Sequence, residues 1–193
     1  LLGGNMKNKR LLGVLLALAV LVIGILVYQS VDKQNRKNSQ SGTFKVGVLQ
    51  YVSHNALDEI YRGIKAGLKE EGYSGKKIKI DFMNAEGDQS KVQTMSQTLV
   101  NHKNDVLVGI ATPAAQGLAS ATKETPIIMG AVTDPVGAKL VKDLKKPNGN
   151  VTGVSDKTPI SDQVSLIKKL TPDVKTVGIL YSSSEDNSKS QVE

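Results

Sequence analysis

Short runs of β-branched and apolar residues recur along the chain, and segments with helical spacing lie between them. The runs predict strands at Lys45–Gln50, Lys77–Met83, Asp105–Ile110 and Pro126–Val132, with a further short strand at Val151–Val154. Because strands and helices alternate, the pattern predicts an α/β fold built on a Rossmann-like, doubly wound parallel sheet.

The segments between the strands carry apolar residues three and four positions apart, which predicts helices that pack on the sheet. The first such helix, Ala56–Glu71, would begin after an N-cap at Asn55 and end at Gly72. Asp88 is the predicted N-cap of the next helix, and the pair Thr112-Pro113 predicts an N-cap followed by proline at the first helical position.

The pattern starts afresh after residue 157. Thr158-Pro159 opens a predicted helix, and a further strand is predicted at Lys175–Tyr181. A polar cluster, Ser182–Ser188, follows, and the chain stops at Glu193 within what looks like a helix start. We therefore expect residues 43–157 to form a first α/β lobe and residues 158–193 to begin a second lobe that is truncated here.

The N-terminal region predicts a membrane segment. An apolar run of 18 residues, Leu11–Tyr28, follows a basic flank, and at the helical rise it spans about 27 Å, close to the hydrocarbon core of a bilayer. We assign residues 6–30 to a signal anchor or signal peptide, and the mid-run position of Ala17-Leu18-Ala19 favours the uncleaved anchor. Residues 1–5 are expected to be a translated leader before Met6, and residues 31–42 a flexible tether.

Charge and cysteine content narrow the function classes. The chain carries a formal net charge of +7, but six of its 25 lysines and arginines precede residue 43, against one of its 18 acidic residues. The basic character is thus mainly a membrane flank, and no basic aromatic stripe follows, so we expect no nucleic-acid partner. The absence of cysteine from the sequence excludes disulfides, thiolate metal sites and lipid attachment through an N-terminal cysteine.

Small polar clusters follow four of the predicted strands. Since open parallel sheets bind ligands beyond the carboxyl ends of their strands, these clusters predict a small-molecule site. They are Gln50-Tyr51-Val52-Ser53-His54, Asn84-Ala85-Glu86-Gly87-Asp88, Ala111-Thr112-Pro113-Ala114-Ala115-Gln116 and Thr133-Asp134-Pro135-Val136-Gly137.

The chemistry of these clusters indicates binding rather than catalysis. No glycine-rich phosphate loop follows a strand, the two histidines have no metal-ligand spacing, and Ser53 has no partnered base, so we expect no cofactor, no metal and no enzyme. The segment Thr112–Gln116 offers a helix N-terminus, which attracts a carboxylate, while Ala114 and Ala115 leave the approach open. His54 is either an exposed loop residue or a cleft residue that touches ligand; His102 is interpreted as a solvated residue at a helix end.

These four clusters together resemble the ABC-transporter substrate-binding proteins of the tryptophan/tyrosine type, most closely the streptococcal tryptophan-binding members. The resemblance runs from Met6 to the chain end. It implies a type I periplasmic-binding-protein fold, with two Rossmann-like lobes that close by a hinge around a ligand. It also implies a membrane permease and an ATPase as partners, with tryptophan as the first ligand.

The resemblance also implies which residues contact the ligand. Thr112, Ala114 and Gln116 would hold its carboxylate. The other first-lobe contacts would come from the strand ends, at Gln50, Tyr51, Ser53, His54 and Glu86, with Thr133 and Asp134 nearby. Ser155 and Asp156 would lie near the lobe crossover, and Ser183 and Asn187 would face the ligand from the second lobe.

The sequence therefore predicts the solute-binding component of an ABC importer for an aromatic amino acid. It would stand on the extracellular face of the cell membrane, anchored by its N-terminal helix or secreted if the signal is cleaved. The alternative is a ligand-sensing ectodomain of a signalling system, in which the same fold informs a signalling partner.

Overall fold

The computed structural model describes residues 42–192, in which strands and helices alternate as the sequence predicts. The strands are β1 (Phe44–Gln50), β2 (Ile78–Asn84), β3 (Val106–Ile110), β4 (Ile127–Val132) and β5 (Val151–Ser155). The helices are α1 (Asn55–Glu70), α2 (Gln89–Asn101), α3 (Thr112–Ala121), α4 (Ile160–Leu170) and α5 (Asp186–Val192). A short 3₁₀ turn, Gly75–Lys77, precedes β2.

The strands form one parallel sheet in the order β2-β1-β3-β4-β5, which confirms the doubly wound α/β prediction. The first strand lies inside the sheet, between β2 and β3: Val48 lies opposite Phe82 on β2 and opposite Val108 on β3. The chain moves from β1 to β2 in one direction and then crosses back to β3 on the other side of β1. A topological switch point, where such sheets bind ligands, therefore lies between β1 and β3.

Helices cover the two faces of the sheet, as the alternation of buried side chains along each strand requires. On one face, Leu49, Leu107 and Met129 pack with residues of α2 and α3, namely Val92, Leu99, Ala114, Ala115 and Leu118. On the other face, alternate residues of the same strands pack against α1 through Leu57, Ile60, Tyr61 and Ile64; these strand residues are Val46, Val48, Val108 and Ile110.

Close contact between β3 and α3 explains the small residues in both elements. A Cβ atom at Gly109 would lie 2.6 Å from the Cα of Ala115 and 2.7 Å from its backbone nitrogen. Ala114 and Ala115 are completely buried. Their small side chains therefore serve the packing of α3 against the sheet, and the expectation that they leave an open approach is not met in this conformation.

Helix starts differ from the predictions by one residue at two places. His54, not Asn55, is the N-cap of α1, and its Nδ1 accepts a hydrogen bond from the Ala56 N–H at 3.3 Å. Ala111, not Thr112, is the N-cap of α3, which moves Thr112 into the helix. The predicted cap of α2 is confirmed, since Asp88 accepts hydrogen bonds from the N–H groups of Ser90 and Lys91.

The predicted strand Lys175–Tyr181 is wrong for this chain, because these residues adopt no strand. A strand needs a neighbour to satisfy its N–H and C=O groups, and none of the described residues pairs with this segment. Its apolar side chains consequently stay in solvent: Ile179 is 65% exposed and Leu180 is fully exposed. That residues 158–193 begin a second lobe remains a prediction.

The predictions for residues 1–41, including the signal anchor and the leader, fall outside the described residues. Within residues 42–192, no helix combines the length and the apolar character needed to cross a membrane.

Candidate functional site

The candidate site lies at the carboxyl edge of the sheet, where β1 and β3 end side by side. The chain continues from each strand while still bonded to its neighbour: the Tyr51 N–H donates to the Ile110 carbonyl at 3.2 Å, and the Ala111 N–H donates to the Gly130 carbonyl at 3.0 Å. The first residues after both strands are therefore held at the switch point.

Gln50 supports the loop that follows β1. Its Nε2 donates to the Val52 carbonyl at 2.9 Å and to the Asp58 carboxylate at 2.6 Å, and its side chain is completely buried. Its Oε1 is buried and has no hydrogen-bond partner among the described residues. In this conformation Gln50 thus holds the loop from its buried side, while Ser53 and His54 are exposed to solvent.

Tyr51 joins this loop to the one after β2. Its hydroxyl donates to the Gly87 carbonyl at 3.0 Å, and its own carbonyl accepts from the Gly87 N–H at 2.8 Å. Burial raises the pKa of the Tyr51 phenol above its ordinary value, and the negative charge of nearby Glu185 raises it further. The phenol therefore stays neutral, and its partly buried ring packs against the hydrophobic core at this edge of the sheet.

The loop after β2 is ordered by its own polar side chains. Asn84 donates from Nδ2 to the Ser53 hydroxyl at 2.8 Å and accepts from the Glu86 N–H at 2.8 Å. Glu86 has a positive φ of 55° and forms an exposed ion pair with Lys91. Its carboxylate is thus already partnered, and a contact between Glu86 and ligand stays a prediction.

The start of α3 combines backbone strain with unused hydrogen-bonding groups. Ala111 has φ 76° and ψ 158°, a conformation that is otherwise nearly restricted to glycine and costs on the order of 1–3 kcal/mol. No side chain caps the helix, and the Thr112 hydroxyl is buried without a hydrogen-bond partner among the described residues. Strain and unsatisfied polar groups of this kind concentrate at ligand sites.

Gln116 lies one turn after Thr112 on the same face of α3. Its Nε2 donates to the Ala138 carbonyl at 3.1 Å and to the Asp186 carboxylate at 2.8 Å. Gln116 therefore contacts the first residue of α5, Asp186, which lies 70 positions later in the sequence.

The loop after β4 completes this edge of the sheet. Thr133 is buried, and its carbonyl accepts from the Ser155 hydroxyl at 3.2 Å. Asp134 accepts from the Gly137 N–H at 2.8 Å, which is the role of an ordinary turn residue. Asp156, directly after β5, is exposed.

Residues near the C-terminal end of the described chain reach the same edge. Ser183 is exposed, whereas the Asn187 Oδ1 is buried without a partner among residues 42–192. Glu185 and Asp186, which sequence reasoning missed, contact Tyr51 and Gln116 respectively. Their only signal in the sequence was two adjacent carboxylates within the polar cluster Ser182–Ser188.

Groups that could hold a metal ion are not found in the described part of the chain, where no three histidine, aspartate or glutamate side chains converge. His102 is the C-cap of α2, half exposed, and its Nδ1 lies 2.5 Å from an Asp81 carboxylate oxygen. It is a surface residue, as expected, but one with an acidic partner.

An open parallel sheet with unsatisfied polar groups at its switch point defines a small-molecule-binding lobe. The family described as "ABC transporter substrate binding protein" matches residues 45–193. The chain belongs to this family, whose members are binding proteins and not enzymes.

Relatives with known sequences or structures agree with that assignment. The chain is 41% identical to a tyrosine-binding protein of Clostridioides difficile over 194 residues, which covers 97% of this chain and 56% of the relative. A solved domain from Streptococcus pneumoniae in complex with L-Trp is 70% identical, with a TM-score of 0.76, over 78% of this chain and 51% of that one. A ligand-free, open substrate-binding protein from Clostridium difficile is 42% identical, with a TM-score of 0.64 over the same shares. The chain thus spans about half the length of these relatives.

Proposed function

We propose that the protein binds an aromatic amino acid outside the cytoplasm for an ABC importer, with tryptophan as the first ligand to test. The observation that carries this proposal is the N-terminus of α3, which has no side-chain cap, carries the unpartnered Thr112 hydroxyl and follows β3 at the switch point, where the Tyr51 N–H donates to the Ile110 carbonyl. Such a group of donors suits a carboxylate, and an aromatic ring suits an aromatic side chain. The relatives that bind L-Trp and tyrosine support the same ligand class.

The mechanism that fits this lobe is closure of two walls around the ligand. The carboxyl edge of the sheet provides one wall, and the segment around Ser183 and Asn187 provides part of the other. A hinge near Ser155 and Asp156 would let the second wall swing onto the first, so that the closed form is the one that the permease and its ATPase recognise. Residues 6–30 would hold the protein at the outer face of the membrane.

Calorimetric titration of the intact protein tests the ligand class directly. We expect L-tryptophan to bind, L-tyrosine to bind with comparable or lower affinity, and the sugar maltose to give no heat. Tight binding of maltose with no response to either amino acid would contradict the proposal.

Fractionation of the native host tests the location. The protein expressed from Met6 should remain with the membranes and keep its N-terminus. A soluble product that begins between residues 28 and 43 would show cleavage and contradict the anchor.

A further inference from the structure

The segment Ser182–Val192, here called the closing segment, contacts two residues of the candidate site and also Thr158. Asp186 accepts from Gln116 at 2.8 Å, Ser190 donates to the Asp134 carboxylate at 3.4 Å, and Gln191 donates to the Thr158 hydroxyl at 3.5 Å. The bond from Gln116 places Asp186 beside α3, one turn after Thr112.

The free polar groups on the α3 side of this junction are donors. The first-turn N–H groups of α3 have no side-chain cap, and the Thr112 side chain is 98% buried (relative exposure 2%) with its hydroxyl unpartnered. Thr112 lies on the same helix face as Gln116, four residues later, so its hydroxyl belongs to the face that the closing segment covers. This side of the junction suits a negatively charged group.

The closing segment presents acceptors that have no cationic partner among the described residues. The Asn187 Oδ1 is buried and accepts no hydrogen bond from any described residue. Glu185 interacts with the Tyr51 hydroxyl but forms no ion pair with a described residue. Asp186, in contrast, has Lys189 at 3.6 Å and Gln116 at 2.8 Å. A carboxylate and an amide oxygen that both lack a cationic donor suit an ammonium group, which has three N–H donors and no acceptor.

We propose that Glu185 and Asn187 bind the α-ammonium group of the ligand, and that Asp186 is a positioning residue that holds them against Gln116. This inference rests on the proposed function and deepens it. The ligand is recognised as a zwitterion, with its carboxylate at the α3 donors and its ammonium at the acceptors of the closing segment. Neither half of the site would then bind an aromatic amino acid well alone.

The test compares L-tryptophan with indole-3-propionate, which keeps the indole ring and the carboxylate but lacks the amino group. Both are titrated into the intact wild-type protein and into its Glu185→Gln, Asp186→Ala and Asp173→Asn variants. Asp173 is exposed and lies before the closing segment, so Asp173→Asn is the matched control for loss of one negative charge. Thermal melting of each variant checks that it is folded.

We expect Glu185→Gln to weaken L-tryptophan about ten- to hundredfold and to leave indole-3-propionate unchanged, because the lost negative charge faces an ammonium group only in the first ligand. Asp186→Ala should weaken L-tryptophan severalfold and leave indole-3-propionate nearly unchanged, because Asp186 positions the residues that bind the ammonium group. Asp173→Asn should behave as wild type. An unchanged preference for tryptophan in Glu185→Gln would overturn the assignment while the proposed function stands. Tighter tryptophan binding by Asp186→Ala would show that the Asp186 carboxylate competes with the ligand carboxylate for the donors of α3. That result would overturn its positioning role. Failure of the wild type to bind any aromatic amino acid would instead remove the proposed function, and this inference with it.

Discussion

Gln116 donates a hydrogen bond to Asp186 across 2.8 Å, and this bond connects the helix at the switch point to a segment 70 residues later in the chain. The two helices that it joins each carry a buried polar group without a hydrogen-bond partner among the described residues, the Thr112 hydroxyl on α3 and the Asn187 amide oxygen on α5. The junction is thus partly bonded and partly open, which is the arrangement expected of a binding site whose ligand supplies the remaining partners.

Replacement of Thr112 by valine should separate binding from stability. The hydroxyl is buried and unpartnered, so its exchange for a methyl group should leave the melting temperature unchanged or raise it. The same change removes a donor to the ligand carboxylate and should weaken L-tryptophan about tenfold. Thr112→Ser keeps the hydroxyl and is the control. Wild-type affinity in folded Thr112→Val would remove Thr112 from the site.

Replacement of Gly109 by alanine should displace α3. The new Cβ would lie 2.6 Å from the Ala115 Cα, a backbone atom that can move only with the helix, so we expect a loss of about 1–3 kcal/mol in unfolding free energy. Gly67→Ala in α1 is the control, since nothing lies within 4 Å of its added Cβ. It should stabilise the protein by about 0.5–1 kcal/mol through helix propensity. Urea denaturation measures both, and equal effects of the two changes would contradict the packing argument.

Replacement of Ala114 by aspartate should destabilise the fold so strongly that this variant cannot be used to test ligand binding. The resemblance places Ala114 at the carboxylate of the ligand, but its side chain is completely buried in the core. An unpaired charge there should cost more than about 3 kcal/mol. Ser120→Asp, on an exposed position of the same helix, should change stability by less than about 0.5 kcal/mol. A cooperative melt of Ala114→Asp near the wild-type temperature would show that the packing here is looser than described.

The cap of α2 should make stability depend on pH in the acid range. Hydrogen bonds from the Ser90 hydroxyl and from the N–H groups of Lys91 and Ser90 hold the pKa of the Asp88 carboxyl below its ordinary value. The folded state therefore releases this proton more readily than the unfolded state does. The resulting stabilisation is present above about pH 4 and is lost as the pH falls through the lower, folded pKa.

Asp88→Asn retains a capping oxygen but cannot titrate, so its stability should fall less steeply than that of the wild type below about pH 4. Denaturation midpoints measured across this range decide the matter. Identical slopes for the two proteins would exclude Asp88 as a contributor.

Local patterns predicted the sheet well, because each strand up to Ser155 is both apolar and flanked by turn residues. The two displaced caps show where such patterns lose accuracy: Thr112 has the side chain of a cap, but α3 starts from Ala111, whose φ of 76° is unusual for alanine and has no signal in the local sequence. Strand formation at Lys175–Tyr181 depends on a partner strand, which no local pattern encodes. Glu185 and Asp186 were missed for the same reason, since their meaning comes from neighbours far away in the sequence.

The bond from Tyr51 to Gly87 has a spectroscopic consequence. This sequence contains no tryptophan, so any indole emission from these 193 residues with bound L-tryptophan comes from the ligand. Tyr51 is held by its hydroxyl at the edge of the site, and tyrosine emission overlaps indole absorption. Energy absorbed by the tyrosines would therefore transfer to the bound indole. Ligand binding could then be followed without a label, with the indole of the ligand as the energy acceptor.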